Sequence, residues 1–192
     1  SSIQGISNVD FRVFDVQVDQ LDNEEYDNVY SRFGVMFFED PYEAFKNIHA
    51  SMKNGGKLSF VCWQDPTLNP WQSLSLQVIK EYLDMPSPPP RSPGPFAFQE
   101  KDYVQSILEQ SGFSKIYFDD NQEEITMFSG KTLQDASEDY LAINPVVTEM
   151  LKDSTDNLKI EIVESLKEAF AEFYTGDGLL FPSATWIVTA EK

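Results

Sequence analysis

The stretch from Tyr26 to Trp63 constrains the fold more than any other part of this chain. It reads YDNVYSRFGVMFF, DPYEAFKNIHASMK, NGGK and KLSFVCW with almost no interruption. The first piece opens as a buried strand, then places Ser31, Arg32 and Gly34 where further apolar residues would continue it. The second predicts a helix from Asp40 to Lys53. Asp40 can cap it, Pro41 suits its first position, and Ala44, Phe45, Ile48 and Met52 share one face. Asn54 to Lys57 supplies the glycines of a helix exit. The apolar run that follows suits a parallel strand buried on both faces. Strand, helix and strand in this order specify a right-handed crossover, hence an α/β fold. Upstream, Val9 to Val18 alternates apolar and polar residues. It predicts another strand with Val9, Phe11 and Val13 inward and Asp15 near its C-terminal end.

Beyond Trp63 the pattern changes. Asn69 to Leu83 predicts a helix, and Asp84 to Phe98 carries six prolines and a glycine, which demand an extended loop. A helix with a Gly112 exit leads into a strand beginning near Ser114. Lys131 to Ile143 and Asp156 to Gly176 read as amphipathic helices, and Ala184 to Lys192 as a closing strand. The chain is expected to be a single domain over 1–192. Residues 64–98 form an insertion or lid and 131–176 a helical segment.

With 32 acidic against 14 basic residues, the formal charge is −18. Such a surface repels nucleic acid and anionic membrane, so neither is expected as a partner. The lone Cys62 excludes an internal disulfide framework, and its apolar surroundings predict an inert buried thiol. No run approaches the roughly 18 apolar residues of a membrane span, and the first residues lack a signal-peptide pattern. A cytoplasmic, reducing location is expected.

Few residues suit acid–base or metal chemistry. His49, the only histidine, falls off the apolar helix face and reads as a solvated surface residue. That leaves no base for a serine or cysteine nucleophile, and no acidic loop has calcium-site spacing. Asp15 lies at a strand end, where open α/β sheets place ligand contacts, or it caps a nearby amide. Arg32 can meet a ligand carboxylate or close a structural ion pair. Gly34 permits close backbone approach to a ligand. Trp63 and Trp71, flanking QDPTLNP, either wall a pocket or cover the sheet edge.

The run VYSRFGVMFFEDPYEAFKNIHASMKNGGKLSFVCWQDPTLNPW resembles a bacterial small-molecule branch of the class I S-adenosylmethionine-dependent methyltransferases. NVDFRVFDVQ, GPFAFQEKDYVQSILEQSGFSKI and ATWIVTAEK are similar to other segments of that family. The resemblance implies the C-terminal part of a Rossmann-like methyltransferase sheet with a helical insertion and lid. It implies S-adenosyl-L-methionine as cofactor, with Asp15 at the adenine and Val16 beside it. Ser31, Arg32, Phe33 and Gly34 would lie along the methionine and the transferable methyl. Phe37, Trp63 and Trp71 would face a small-molecule methyl acceptor.

The family's glycine-rich loop has no counterpart in these residues, so the domain is expected to be N-terminally incomplete. The expectations that follow are weak cofactor binding, open strand edges and a possible homodimer. A methyltransferase-like fold that only binds a partner is the alternative. A nicotinamide-dependent dehydrogenase shares the α/β order but would need its own glycine fingerprint.

Overall fold

A computed structural model describes residues 8–192 of the chain. Four strands form one mixed sheet among the described residues: β1 Tyr26–Arg32, β2 Met52–Trp63, β3 Ser114–Met127 and β4 Leu179–Glu191. Their order is β1-β2-β4-β3. β1 and β2 run parallel, while β4 is antiparallel to both β2 and β3. Among the described residues six α-helices accompany them: α1 Pro41–Ser51, α2 Pro70–Lys80, α3 Lys101–Gln110, α4 Leu133–Ile143, α5 Pro145–Met150 and α6 Asp156–Phe170. The α/β class is as the sequence implies.

The crossover from β1 through α1 to β2 forms for the reasons its residues suggest. The Asp40 carboxylate accepts from the Glu43 amide at 3.2 Å, and Pro41 occupies the first turn. Phe45 is fully buried, and its ring meets those of Phe60, Phe98 and Phe113 at 5.6, 6.1 and 6.4 Å. Leu58, Phe60 and Cys62 of β2 face this core with Val188 and Ala190 of β4. Burial pushes the Cys62 thiol up to about 12, so it stays protonated at neutral pH and is no nucleophile.

Several expectations are corrected. The helix gives way at Ser51, before the glycines, because Met52 already belongs to β2. Gly55 (φ +77°) and Gly56 instead allow an irregular strand start. A Cβ on Gly56 would lie 2.8 Å from the Lys53 carbonyl oxygen. β2 is also not buried on both faces, since Ser59, Val61 and Trp63 are only half-covered. α6 ends at Phe170 and tightens into a 3-10 turn over Ala171–Phe173, short of Gly176.

The largest correction concerns Val9 to Val18, which forms no strand. Val9, Phe11 and Val13 are 55%, 85% and 103% exposed rather than inward. Alternation needs a neighbour to supply ladder hydrogen bonds and an opposing face. The backbone of Asp15 to Asp19 closes a turn on itself instead, through Val18 and Asp19 amides donating to the Asp15 carbonyl.

His49 is not a solvated surface residue. It is half-buried, edge-on to Phe113 at 5.0 Å and beneath Gly112, whose φ is +98°. Burial and the nearby Lys192 charge lower its pKa, which favours the neutral ring.

A second core lies beyond the first. α2, α4, α5 and α6 bury Ile79, Tyr140, Val147, Ile162, Leu166 and Phe170 together with Leu179 and Phe181 of β4. The residues expected as an insertion and a helical segment build most of this core.

Candidate functional site

The site begins where β1 stops being a strand. Phe33 has φ +54°, a left-handed conformation that costs a non-glycine residue on the order of 1–3 kcal/mol. Its amide still donates to the Val61 carbonyl at 3.1 Å, extending the parallel ladder by one residue. The turn swings the Phe33 ring onto Trp63, with centroids 4.3 Å apart and planes inclined by 15°. The Arg32 guanidinium carbon sits 5.2 Å from the same ring. Gly34 follows, where a Cβ would meet Ser31 Oγ at 3.0 Å. Strain of this kind, held at a strand end beside a cavity, is characteristic of ligand sites.

The aromatic contact continues as a series. Trp63 meets Trp71 at 4.8 Å, and Trp71 meets Phe96 at 6.0 Å. Phe33, Trp63 and Trp71 of this series line a cavity of about 640 Å³ together with Arg32. Asn121, Glu123, Ile125 and Met127 project from β3 at a period of two, and Ser183 and Thr185 from β4. Among the described residues neither Arg32 nor Glu123 forms an ion pair, so the structural pairing open to Arg32 is not made.

A second, more apolar groove of about 520 Å³ runs beside β1. Val16, Val29, Ser31, Gly34 and Phe38 contribute to it. Val16 is set there because Asn47 of α1 donates to the Val16 and Gln17 carbonyls at 3.0 and 3.1 Å.

The residues singled out from sequence therefore divide. Arg32, Phe33, Trp63 and Trp71 share the cavity, while Val16, Ser31 and Gly34 share the groove. Asp15 lines neither; its carboxylate accepts from the Gln17 amide at 3.0 Å, the amide-capping alternative. Phe37 also stands outside both and is 53% exposed, because its 3-10 turn directs Val35 and Met36 inward instead.

Sequence reasoning missed the polar residues behind the aromatic wall. Gln64, nearly fully buried, donates to Asp120 at 2.8 Å and to the Thr185 carbonyl at 2.9 Å. Tyr140 of α4 donates to the Trp71 carbonyl at 2.6 Å, and burial pushes its hydroxyl up to about 12. Asn69 is wholly buried just ahead of Trp71. An asparagine directly before Pro-Trp was the available signal for the last of these. Nothing local marks Tyr140.

Among the described residues, no helix is long and apolar enough to cross a membrane, and no cluster of His, Cys, Asp or Glu could hold a metal ion.

Known proteins resemble the chain in sequence and in fold. The family model described as a methyltransferase domain matches residues 2–60. The Bacillus halodurans protein BH2331, described as a candidate methyltransferase, aligns with 93% of this chain and 69% of its own, at 19% identity and a TM-score of 0.51. The YcgJ protein of Bacillus subtilis aligns with 98% and 73%, at 13% identity and a TM-score of 0.54. The chain is thus similar in sequence to a methyltransferase domain over residues 2–60 and shares its α/β, Rossmann-like fold with these two solved proteins.

Proposed function

We propose that the chain serves S-adenosylmethionine-dependent methyl transfer to a small-molecule acceptor. One observation carries this reading: Arg32 and Phe33, at the centre of the SRFG turn, border the same cavity as Trp63 and Trp71. A turn suited to a cofactor and a wall suited to an acceptor thus meet where a methyl group would pass.

The residues present fit the cofactor as a floor. Gly34 leaves backbone accessible above Ser31, and the groove along β1 is apolar enough for the methylene chain of the cofactor's amino-acid portion. Ser31, Arg32, Phe33 and Gly34 would hold the amino-acid portion, with Val16 along the groove. When bound, the cofactor supplies an electrophilic methyl on a sulfonium, transferred by in-line displacement. The chain's own residues orient and exclude water. The Phe33–Trp63–Trp71 series keeps the cavity wall apolar, and Asn121, Thr185 and Glu123 offer hydrogen-bonding groups opposite it. Alignment of donor and acceptor is the main catalytic contribution of such a site, which needs no catalytic histidine.

Binding by these residues alone is expected to be weak, because the outer edge of β1 has no partner among the described residues and the groove beside it is open. Amide spectra recorded while titrating S-adenosylhomocysteine should show millimolar perturbation centred on Ser31 to Gly34. Perturbation confined to other residues would sink the site. Micromolar affinity would instead remove only the expected weakness.

The exposed Val9, Phe11 and Val13, together with the open edge of β1, favour a second reading, a homodimer or a partner-binding fold. Light scattering at low micromolar concentration should then give twice the 21.9 kDa chain mass. A monomeric mass rules the dimer out.

A further inference from the structure

Asn69 immediately precedes α2, at the position where an asparagine ordinarily caps a helix with its side chain. It does not do so here. No side-chain cap is made, and the first turn is served by the Asn69 main-chain carbonyl, which accepts from the Gln72 and Ser73 amides. Forgoing a side-chain cap weakens the helix start, so the amide is committed to other partners.

Its amide is fully engaged elsewhere, at zero exposure. Nδ2 donates to the Asp65 and Ala184 carbonyls, each at 3.1 Å. Oδ1 accepts from the Ala184 amide at 3.1 Å and from the Trp71 indole Nε1–H at 3.2 Å. One side chain therefore ties the β2 exit and the middle of β4 to the indole of Trp71.

We infer that Asn69 is the positioning residue of the acceptor wall: it fixes the Trp71 ring, and through it the Trp63–Trp71 contact, over the cavity. This rests on reading that cavity as the acceptor site. The physical need is plain. Trp71 is half-exposed at the start of a helix, where its ring meets Trp63 and Phe96 and borders the second core. Without a bond at Nε1 its ring can rotate about its own side-chain bonds and carry the wall with it. Misplacement of a substrate by about 1 Å costs roughly 10²-fold in rate, so a site that works by alignment needs such an anchor. Tyr140 secures the main chain of the same residue from the opposite side, through the Trp71 carbonyl.

The test reads the indole protons of a ¹⁵N-tryptophan-labelled chain. Trp71 and Trp186 donate their indole protons, the latter to the Gln99 carbonyl at 3.1 Å, whereas Trp63 has no such bond among the described residues. Trp63 is thus an internal control. The Trp71 indole proton should exchange at least about tenfold more slowly than that of Trp63. Trp71→Phe assigns the signal and leaves the Asn69 contacts to Ala184 in place, so its thermal midpoint should stay close to that of the unmodified chain. Asn69→Leu should abolish the protection. Equal exchange at Trp71 and Trp63 in the unmodified chain overturns the inference, as does full protection of Trp71 retained in a folded Asn69→Leu chain. These readouts need no ligand. A negative S-adenosylhomocysteine titration with Trp71 still protected would therefore count against the methyltransferase reading and not against the Asn69–Trp71 bond.

Discussion

Phe45→Ala is expected to lower the unfolding free energy by about 3–5 kcal/mol, read as a fall in the urea midpoint with an unchanged slope. Phe45 is at zero exposure and is the ring around which the first core is arranged. Phe38 and Phe113 meet it edge-on, at 6.2 and 6.4 Å, and Phe98 stacks at 6.1 Å. These neighbours come from three separate parts of the chain, so no single backbone shift can close the void that truncation leaves. The cost should therefore sit near the top of the range for such substitutions rather than the bottom. Phe37→Ala, in the 3-10 turn ahead of α1 and 53% exposed, should change the midpoint little. Equal losses from the two would show that the aromatic cluster is not the stabilising element described.

Gly178→Ala should cost about 3 kcal/mol through the backbone alone. Gly178 has φ +122°, and a Cβ there would lie 2.8 Å from the Met127 carbonyl oxygen and 3.0 Å from that of Phe128. Both obstacles are main chain at the end of β3, where Met127 pairs with Leu179, so neither can rotate away. Gly176, two residues earlier, provides the comparison. Its φ is +92° but nothing lies within 4 Å of a Cβ, so Gly176→Ala should cost only the conformational strain of about 1–2 kcal/mol. Thermal unfolding of the pair separates close approach from strain. If both fall equally, the packing of Gly178 against β3 is not what the position requires.

The fold was legible wherever local chemistry and burial agreed. Asp40-Pro41, the Ala44–Phe45–Ile48 face and the apolar β2 run each predict α1 and its flanking strands without reference to distant residues. Val9 to Val18 shows the limit. Its alternation is as clear as that of any strand here, yet a strand is a property of pairs, and among the described residues no ladder forms along it. The site was legible in part for the same reason. Arg32, Phe33, Trp63 and Trp71 come from two adjacent strand ends and the segment leaving one of them, so the crossover pattern alone brings them together. The other wall comes from β3 and β4, which the chain supplies more than fifty and a hundred residues later. No spacing in the sequence announces that Asn121 and Thr185 will face Trp71. Asp15 carried the right residue type in the right predicted place, but its neighbour Gln17 satisfies its carboxylate within the same turn.

The position of β4 has a consequence for how the chain acquires its structure during synthesis. It lies between β2 and β3 in space but follows every other described element in the order of translation. Its first residues, Leu179 and Phe181, complete one core, and its last, Val188 and Ala190, complete the other. A nascent chain halted before Leu179 would therefore hold β2 and β3 apart, with apolar surface of both cores still open to water. Folding of either half must wait for the ribosome to release this strand, and the interval beforehand is when chaperone capture would matter most.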